Sequence, residues 1–308
     1  MRFAITGGDR GIGVFEAFVN AGWEPLKLFT LPLDNRTDYN RAVVAYAHRL
    51  GIEVQMSRMQ AGDLSALERM QCDVLVVAGY DWRIPPWRAR VPFAVNFHPS
   101  PLPQARGPSP LIRAILDRHS VWGVSCHRLE HEFDSGEILA QESFPLAPDE
   151  CLESLDLKAQ MATARLAYRV AMNFETLWKH ATPQTGGEYW PKPTAAQRTI
   201  DFKLSVADIL RRVRAFGDLE CLALIKGVRV RVRRAVGWVQ THGNRPGAVV
   251  YSSGASMVVA AGDGYIGLVD WIPAQNPPGT YTDPTLDGTE PATAPTLERT
   301  SLRDEIRA

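Results

Sequence analysis

Residues 2–13, RFAITGGDRGIG, decide how the rest of the chain is read. Phe3, Ala4 and Ile5 lead a short apolar strand into Thr6, Gly7, Gly8, Asp9, Arg10, Gly11, Ile12 and Gly13. A strand that breaks into glycines before a helix is the first turn of an open α/β sheet. It is also what a dinucleotide phosphate loop looks like. Reductases that begin this way use a tyrosine with a lysine four positions on, the lysine lowering the pKa of the phenol. No tyrosine here has lysine at that spacing. Without that pair, the glycines serve a tight strand-to-helix turn. The turn still lies at the carboxyl edge of the sheet, where ligands bind in such folds. A role in holding a second substrate therefore stays open for Asp9 and Arg10.

Strands and helices alternate outward from this turn. The strand at Arg2 to Thr6 precedes a helix from Gly13 to Ala21, ended by Gly22. PLKLFTL is a second strand. TDYNRAVVAYAHRLG is a helix with Thr37 or Asp38 as cap and Gly51 as its stop. EVQMS and DLSALERM read as a short strand and a short helix. CDVLVVAGY is nearly continuous apolar sequence, as a strand buried on both faces must be, and FAVNFH is another. The polar loop PSPLPQARGPSP leads to the helix LIRAILDRH. The strands WGVSCHRLE and EILAQESFPL follow, then one long helix from Asp149 to His180. This rhythm predicts an α/β fold: a Rossmann-like, mostly parallel sheet. A Pro/Gly/Thr-rich linker, TPQTGGEYWPKPTAAQR, then opens a second, smaller β-rich domain of short strands with glycine turns, an OB-like barrel. The expected divisions are residues 1–185, 186–272 and an extended tail over 273–308.

Composition narrows the class. The 308 residues carry 34 Lys plus Arg and 34 Asp plus Glu, a formal net charge of +0. That balance disfavours a broad nucleic-acid or anionic-membrane surface. No apolar run approaches the roughly 20 residues of a membrane span. The chain opens on a strand and shows no signal peptide, so a cytoplasmic location is expected. Cys72, Cys126, Cys151 and Cys221 lack metal-ligand spacing and read as reduced thiols; no metal is expected. The oligomeric state is left open.

The chemistry lies in VNFHPSPLPQARGPSP, residues 95–110, and FDSGEILAQ, residues 133–141. Asn96 and His98 are two apart at the end of a buried strand, so alternation sends both into one cleft. Burying an amide and an imidazole is costly unless they have partners or a task. Asp134 opens a turn directly after another strand and reaches the same edge. A carboxylate beside an imidazole fixes its tautomer and supports its protonated form. An amide and that imidazole can donate hydrogen bonds to a developing oxyanion. Together these residues suit transfer of a small carbonyl group.

The motifs Asn96-Phe97-His98, Ser100-Pro101-Leu102-Pro103, Arg106-Gly107 and Asp134-Ser135-Gly136 resemble the folate-dependent formyltransferase family, over about residues 1 to 271. The resemblance implies a Rossmann-like formyltransferase domain with the β-rich C-terminal domain of methionyl-tRNA and some sugar formyltransferases. It implies Asn96, His98 and Asp134 as catalytic trio and 10-formyltetrahydrofolate as formyl donor. It places the pterin between Arg83-Ile84-Pro85 and Glu130-His131-Glu132-Phe133-Asp134, where backbone groups do most of the recognition. Arg106, with Asp9 and Arg10, is assigned to the acceptor. In this family the first turn is not a dinucleotide site.

Two departures bear on the acceptor. Pro108 follows Arg106-Gly107 where several relatives carry Arg or Ala, and the Pro-x-Pro-Gly turn of the C-terminal domain is missing from RAFGDLECLALIKG. Methionyl-tRNA formyltransferases insert a basic loop where this chain has LPLDNRTDYNR, short and balanced in charge. Phosphate contacts need concentrated Lys and Arg. A small-molecule amine is therefore expected, with a nucleotide-linked amino sugar leading and a siderophore hydroxyornithine or methionyl-tRNA as alternatives. VRVRVRR, residues 228–234, makes a one-sided arginine stripe, read as an exposed strand face or an anion contact. A formyltetrahydrofolate hydrolase, a nicotinamide reductase and a non-catalytic folate-binding protein are the rivals.

Overall fold

The computed structural model describes residues 1–32, 39–253 and 256–274. The chain divides into two compact units, residues 1–192 and 193–308. The first therefore takes in residues 186–192, assigned by sequence to the second domain.

The first unit runs β1 (Arg2–Gly7), α1 (Ile12–Asn20), β2 (Glu24–Phe29), α2 (Arg41–Arg49), β3 (Glu53–Gln55), α3 (Ala61–Arg69), β4 (Val74–Ala78) and β5 (Phe93–His98). It continues with α4 (Pro110–Leu116), β6 (Val121–Arg128), β7 (Ile138–Pro145), α5 (Leu152–Met172) and α6 (Phe174–Lys179). The seven strands are ordered β3-β2-β1-β4-β5-β6-β7. β3 to β5 pair in parallel, and β6 and β7 join antiparallel. This is the mostly parallel Rossmann-like sheet expected. The single long helix read from Asp149 to His180 is two helices, α5 and α6, broken at Asn173, which leaves helical geometry at φ −128° and ψ 22°.

Every residue of β4 is buried, because both sheet faces are covered. On one face Phe3 packs with Phe18 and Trp23 at ring separations of 5.4 and 6.2 Å. On the other, Ala4, Leu75 and Val77 meet Met59, Leu64, Leu67 and Trp87.

The opening turn is a packing device. A Cβ on Gly11 would sit 2.5 Å from the Ala78 carbonyl oxygen, and one on Gly13 would sit 2.9 Å from Ala164 Cβ. The glycines let the turn lie directly on the end of β4 and let α1 lie on α5. The Asp9 carboxylate accepts from the backbone N–H groups of Ala42 at 3.1 Å and Val43 at 2.9 Å, capping α2 across 33 and 34 residues. Thr37 and Asp38, the caps expected from sequence, lie outside the described residues.

The second unit contains α7 (Ala195–Arg198), α8 (Val206–Phe216), β8 (Cys221–Ile225), β9 (Val228–Val239), β10 (Val249–Ser253), β11 (Ser256–Ala260) and β12 (Gly264–Pro273). Its antiparallel strands are ordered β10-β11-β12-β9-β8, and α8 packs on β9. The pairing displays two edges, β10 and β8; closure into the OB-like barrel of the sequence reading is not among these pairings. Two arginines of the stripe on β9 are matched by acids: Arg231 approaches Glu220 at 3.5 Å, and Arg233 approaches Glu220, Asp218 and Asp270 at 3.2, 3.6 and 3.9 Å. β12 extends to Pro273, and the rest of the expected tail, from residue 275, lies outside the described residues. No helix among the described residues is long and apolar enough to cross a membrane. Burial pushes the Cys72 thiol up to about 11 and the Cys221 thiol up to about 12, so neither is a ready nucleophile.

Two glycines test the packing account with opposite signs. Gly11→Ala should lower stability by about 1–3 kcal/mol, the usual cost of overpacking a tight contact. Gly62→Ala, in α3 with nothing within 4 Å of the added carbon, should raise it by up to about 1 kcal/mol through helix propensity. Urea unfolding midpoints of the two variants check both signs.

Candidate functional site

β5 lies where the parallel half of the sheet meets the antiparallel half, with β4 on one side and β6 on the other. Asn96 stands opposite Val77 and His127, and His98 opposite Ser125. Asn96 and His98 thus share one face at the strand's carboxyl end, as their spacing predicts. Asp134 sits on the turn after β6 at φ +55°, a left-handed conformation that costs energy outside glycine.

The structure brings the three together. Asp134 Oδ1 accepts from Asn96 Nδ2 at 3.2 Å and faces His98 Nδ1 at 3.3 Å. Asp134 Oδ2 accepts from the backbone N–H of Gly107 at 2.9 Å. His98 Nε2 meets the Ala105 carbonyl at 3.0 Å. The loop supplying these backbone groups is locked from below. Ser125 Oγ donates to the Ser100 carbonyl at 2.7 Å and accepts from Leu102 N at 3.0 Å, and Gln141 Nε2 donates to the Leu102 carbonyl at 2.7 Å. Gly107 has φ +110°, and any Cβ there would collide with the Trp190 carbonyl. Arg106-Gly107 is therefore a backbone requirement as well as a motif.

His127 belongs to the same cluster, and the sequence reading passed over it. It is 1% exposed, and its Nε2 lies 3.0 Å from Asn96 Nδ2 and 3.6 Å from Asp134 Oδ1. Its Nδ1 meets the Arg128 carbonyl at 2.8 Å, so the neutral ring carries its proton there and offers Nε2 as an acceptor. The two Nδ2 hydrogens of Asn96 then go to His127 and Asp134, which fixes which way the amide points. Its only sequence signal was a histidine within the buried strand VSCHR.

Protonation follows from burial. His98 is 7% exposed and Asp134 9%. Burial pushes the His98 imidazolium down, against the upward pull of the Asp134 carboxylate and the Ala105 carbonyl. Burial works to raise Asp134, but the neighbouring histidines and the Gly107 N–H hold it below the ordinary carboxylate value. Near neutral pH the pair is an ionised carboxylate beside a neutral imidazole, the state required of a general base.

The segments assigned to the pterin also meet. The Arg83 guanidinium lies over the Phe133 ring at 4.9 Å, and Arg88 pairs with Glu130. Ile84 and Leu129 pack on the core beneath. Pro85 is half-buried, while His131 and Glu132 are exposed and face each other at 3.4 Å. The residues assigned to the acceptor separate. Asp9 goes to α2, Arg10 pairs with Asp156 of α5 at 3.1 Å, and Arg106 donates to the Gly187 carbonyl at 3.3 Å.

A Rossmann-like sheet that brings an amide and an imidazole from the end of one strand to a carboxylate on the turn after the next frames a candidate group-transfer site, and comparison with known proteins specifies the family. The family model described as formyl transferase matches residues 36–170, and that described as formyl transferase, C-terminal domain, matches residues 192–282. The chain belongs to the formyltransferase family. It is 28% identical over 252 residues to methionyl-tRNA formyltransferase of Bordetella bronchiseptica, covering 80% of this chain and 81% of that protein. It is 30% identical over 193 residues to methionyl-tRNA formyltransferase of Anaplasma marginale, covering 62% of this chain and 63% of that protein. Among solved structures, HypX from Aquifex aeolicus in complex with tetrahydrofolic acid aligns with a TM-score of 0.64 at 20% identity, over 88% of this chain and 44% of that one. An N-formyltransferase from Helicobacter canadensis, in complex with folinic acid and dTDP-3-aminofucose, aligns with a TM-score of 0.63 at 14% identity, over 88% and 98%. These identities show a shared fold.

The site predicts a pH signature in stability. A histidine whose folded pKa is depressed stabilises the fold above its unfolded value, about 6.5, and that contribution is lost as pH falls through the folded value. Asp134, also depressed, loses its contribution only below its unfolded value of about 3.8. Urea midpoints should therefore fall as pH drops below about 6.5, and His98→Gln should flatten that part of the curve. An unchanged slope in the variant would refute the burial of a neutral His98.

Proposed function

We propose that this chain transfers a formyl group from 10-formyltetrahydrofolate to a primary amine or hydroxylamine nitrogen of a small molecule, with a nucleotide-linked amino sugar as leading acceptor. The observation that carries the chemistry is Asp134 Oδ1, set 3.2 Å from Asn96 Nδ2 and 3.3 Å from His98 Nδ1. The residues present suit a pterin-bearing donor: the Arg83 guanidinium stacks on Phe133, and Ile84 and Leu129 pack on one apolar cluster, which brings both segments together beside the backbone of residues 129–134.

The bound donor would supply an activated formyl group whose oxygen gathers negative charge as nitrogen attacks. Asn96 Nδ2, on exchanging one of its present acceptors for that oxygen, and the His98 imidazolium, once formed, would stabilise the charge. His98, neutral near pH 7, would take the proton released by the attacking amine and return it to the donor nitrogen as the formyl C–N bond of the donor breaks. Asp134 stays ionised and stabilises the imidazolium that results. His127 keeps the Asn96 amide with its NH2 toward the cleft. The charge balance of +0 and the pairing of Arg231 and Arg233 with acids favour a small acceptor.

Methionyl-tRNA is the second reading, favoured by the 28% identity to the Bordetella bronchiseptica enzyme across 80% of this chain. The segment that bears on it, LPLDNRTDYNR, lies mostly outside the described residues. A folate-binding protein without turnover is a third reading, and donor consumption separates it from the others.

His98→Ala and Asp134→Ala should each lower formyl transfer by at least about 100-fold, the lower range for losing an acid–base or oxyanion group. Near-normal turnover in a folded His98→Ala protein would remove it from the mechanism. Binding should discriminate too: calorimetry with 5-formyltetrahydrofolate should give heat and NADPH none, and the reverse result would return the opening turn to nicotinamide. For the acceptor, nucleotide-linked amino sugars and charged initiator tRNA should be assayed across salt concentrations. Efficient tRNA formylation falling steeply with salt, as counterion release requires, would establish the second reading.

A further inference from the structure

We infer that Gln184 is a positioning residue for Asp134, and that residues 182–190 form a strap holding both anchors of that carboxylate. The sequence presents this stretch as linker, yet it lies within the first unit. The Gln184 amide Nε2 donates to the Asp134 carbonyl at 2.8 Å and the Gly136 carbonyl at 2.7 Å. Only an NH2 group can face two carbonyl oxygens, so the orientation of the amide is unambiguous. Its Oε1 is buried without a hydrogen-bond partner. Leaving an acceptor unsatisfied is unfavourable. The side chain accepts that penalty to place both donors on the turn that holds Asp134 at φ +55°.

The strap also holds the opposite side of the carboxylate. Thr182 exchanges backbone hydrogen bonds with Ile138 of β7 at 2.8 and 2.9 Å. Farther on, Arg106 N donates to the Glu188 carbonyl at 3.1 Å, and Trp190 N donates to the Arg106 carbonyl at 2.6 Å. Trp190 lies under Arg113 at 4.5 Å and beside Trp122 at 5.9 Å. Arg106 is thereby fixed, and the next N–H, that of Gly107, reaches Asp134 Oδ2 at 2.9 Å. One short segment sets the turn carrying the carboxylate and the backbone donor that meets it.

The inference rests on the role proposed for Asp134, so its test includes a readout independent of formyl transfer. The Gly107 amide, bonded to a carboxylate, should give a downfield, exchange-protected NMR resonance in the full-length protein. Gln184→Leu should shift that resonance upfield and speed its exchange at least about tenfold, while the amides of β4 and β5 stay protected. Gln184→Glu, equal in size but with at most one O–H donor for two carbonyls, should do the same. Gln184→Lys can donate to both carbonyls and should restore the resonance. In turnover, Leu and Glu should lower kcat by about 10- to 100-fold, as small misplacements of a reacting group do, with Lys within about threefold of the parent. An unchanged Gly107 signature in Gln184→Leu or Gln184→Glu overturns the inference, as does equal impairment of the Lys and Glu variants. If the parent shows no formyl transfer with any acceptor, the Gly107 resonance still decides the role of Gln184.

Discussion

The first unit is organised around one buried carboxylate. Taking an ionised carboxyl out of water costs several kcal/mol unless hydrogen-bond donors replace the water. Asp134 obtains them from different parts of the chain: Asn96 at the end of β5, and the Gly107 backbone on the loop that follows. Each donor must itself be held. The Ser100–Ser125–Gln141 bonds hold the loop, and His127 takes the second hydrogen of Asn96. What looks like a catalytic motif set in a scaffold is equally the scaffold's means of burying a charge.

The same constraint separates the protonation states of the pair. Desolvation acts on both groups, but only Asp134 collects enough N–H partners to overcome it. His98 has two acceptors facing its ring, the Ala105 carbonyl and the carboxylate. It therefore gains a second favourable contact only on taking up a proton. A base whose protonated form is already provided with partners needs little rearrangement when it acts, and such preorganisation lowers barriers.

Much of this was legible in the sequence because it depends on local pattern. FAVNFH is a strand over the predicted residues, and the alternation of Asn96 and His98 follows from the pleat. What escaped depends on contacts distant in sequence. His127 meets Asn96 through antiparallel pairing between β5 and β6, and a strand's apolar pattern does not state its partner. Asp9 caps a helix more than thirty residues away, so no local capping signal marks it. Residues 182–190 carry the Pro, Gly and Thr of a linker, but Gly187 serves close approach: it is pressed against the Pro103 carbonyl. The opening glycines deceived in the same way, since Gly7 and Gly11 make room for the end of β4. Glycine reports that backbone comes near something, and the sequence does not say whether that is a phosphate or another strand.

This arrangement separates reaction from acceptor choice. Every partner of Asp134, His98 and Asn96 named above comes from residues 96–184, within the first unit. None of these contacts requires the acceptor to have a particular size or charge. A site built this way can stay fixed while surrounding surfaces change. That accounts for how one fold is shared by relatives described as methionyl-tRNA formyltransferases and by a structure solved with an amino-sugar nucleotide. The acceptor must then be read from residues outside the Asp134 cluster. Of those assigned to it by sequence, Asp9 is committed to α2 and Arg10 to Asp156, whereas Arg106 has a single backbone partner for its Nη2 and a buried Nε with none. Next to the fixed Gly107 donor, Arg106 is the charged group of that set that keeps an N–H without a partner.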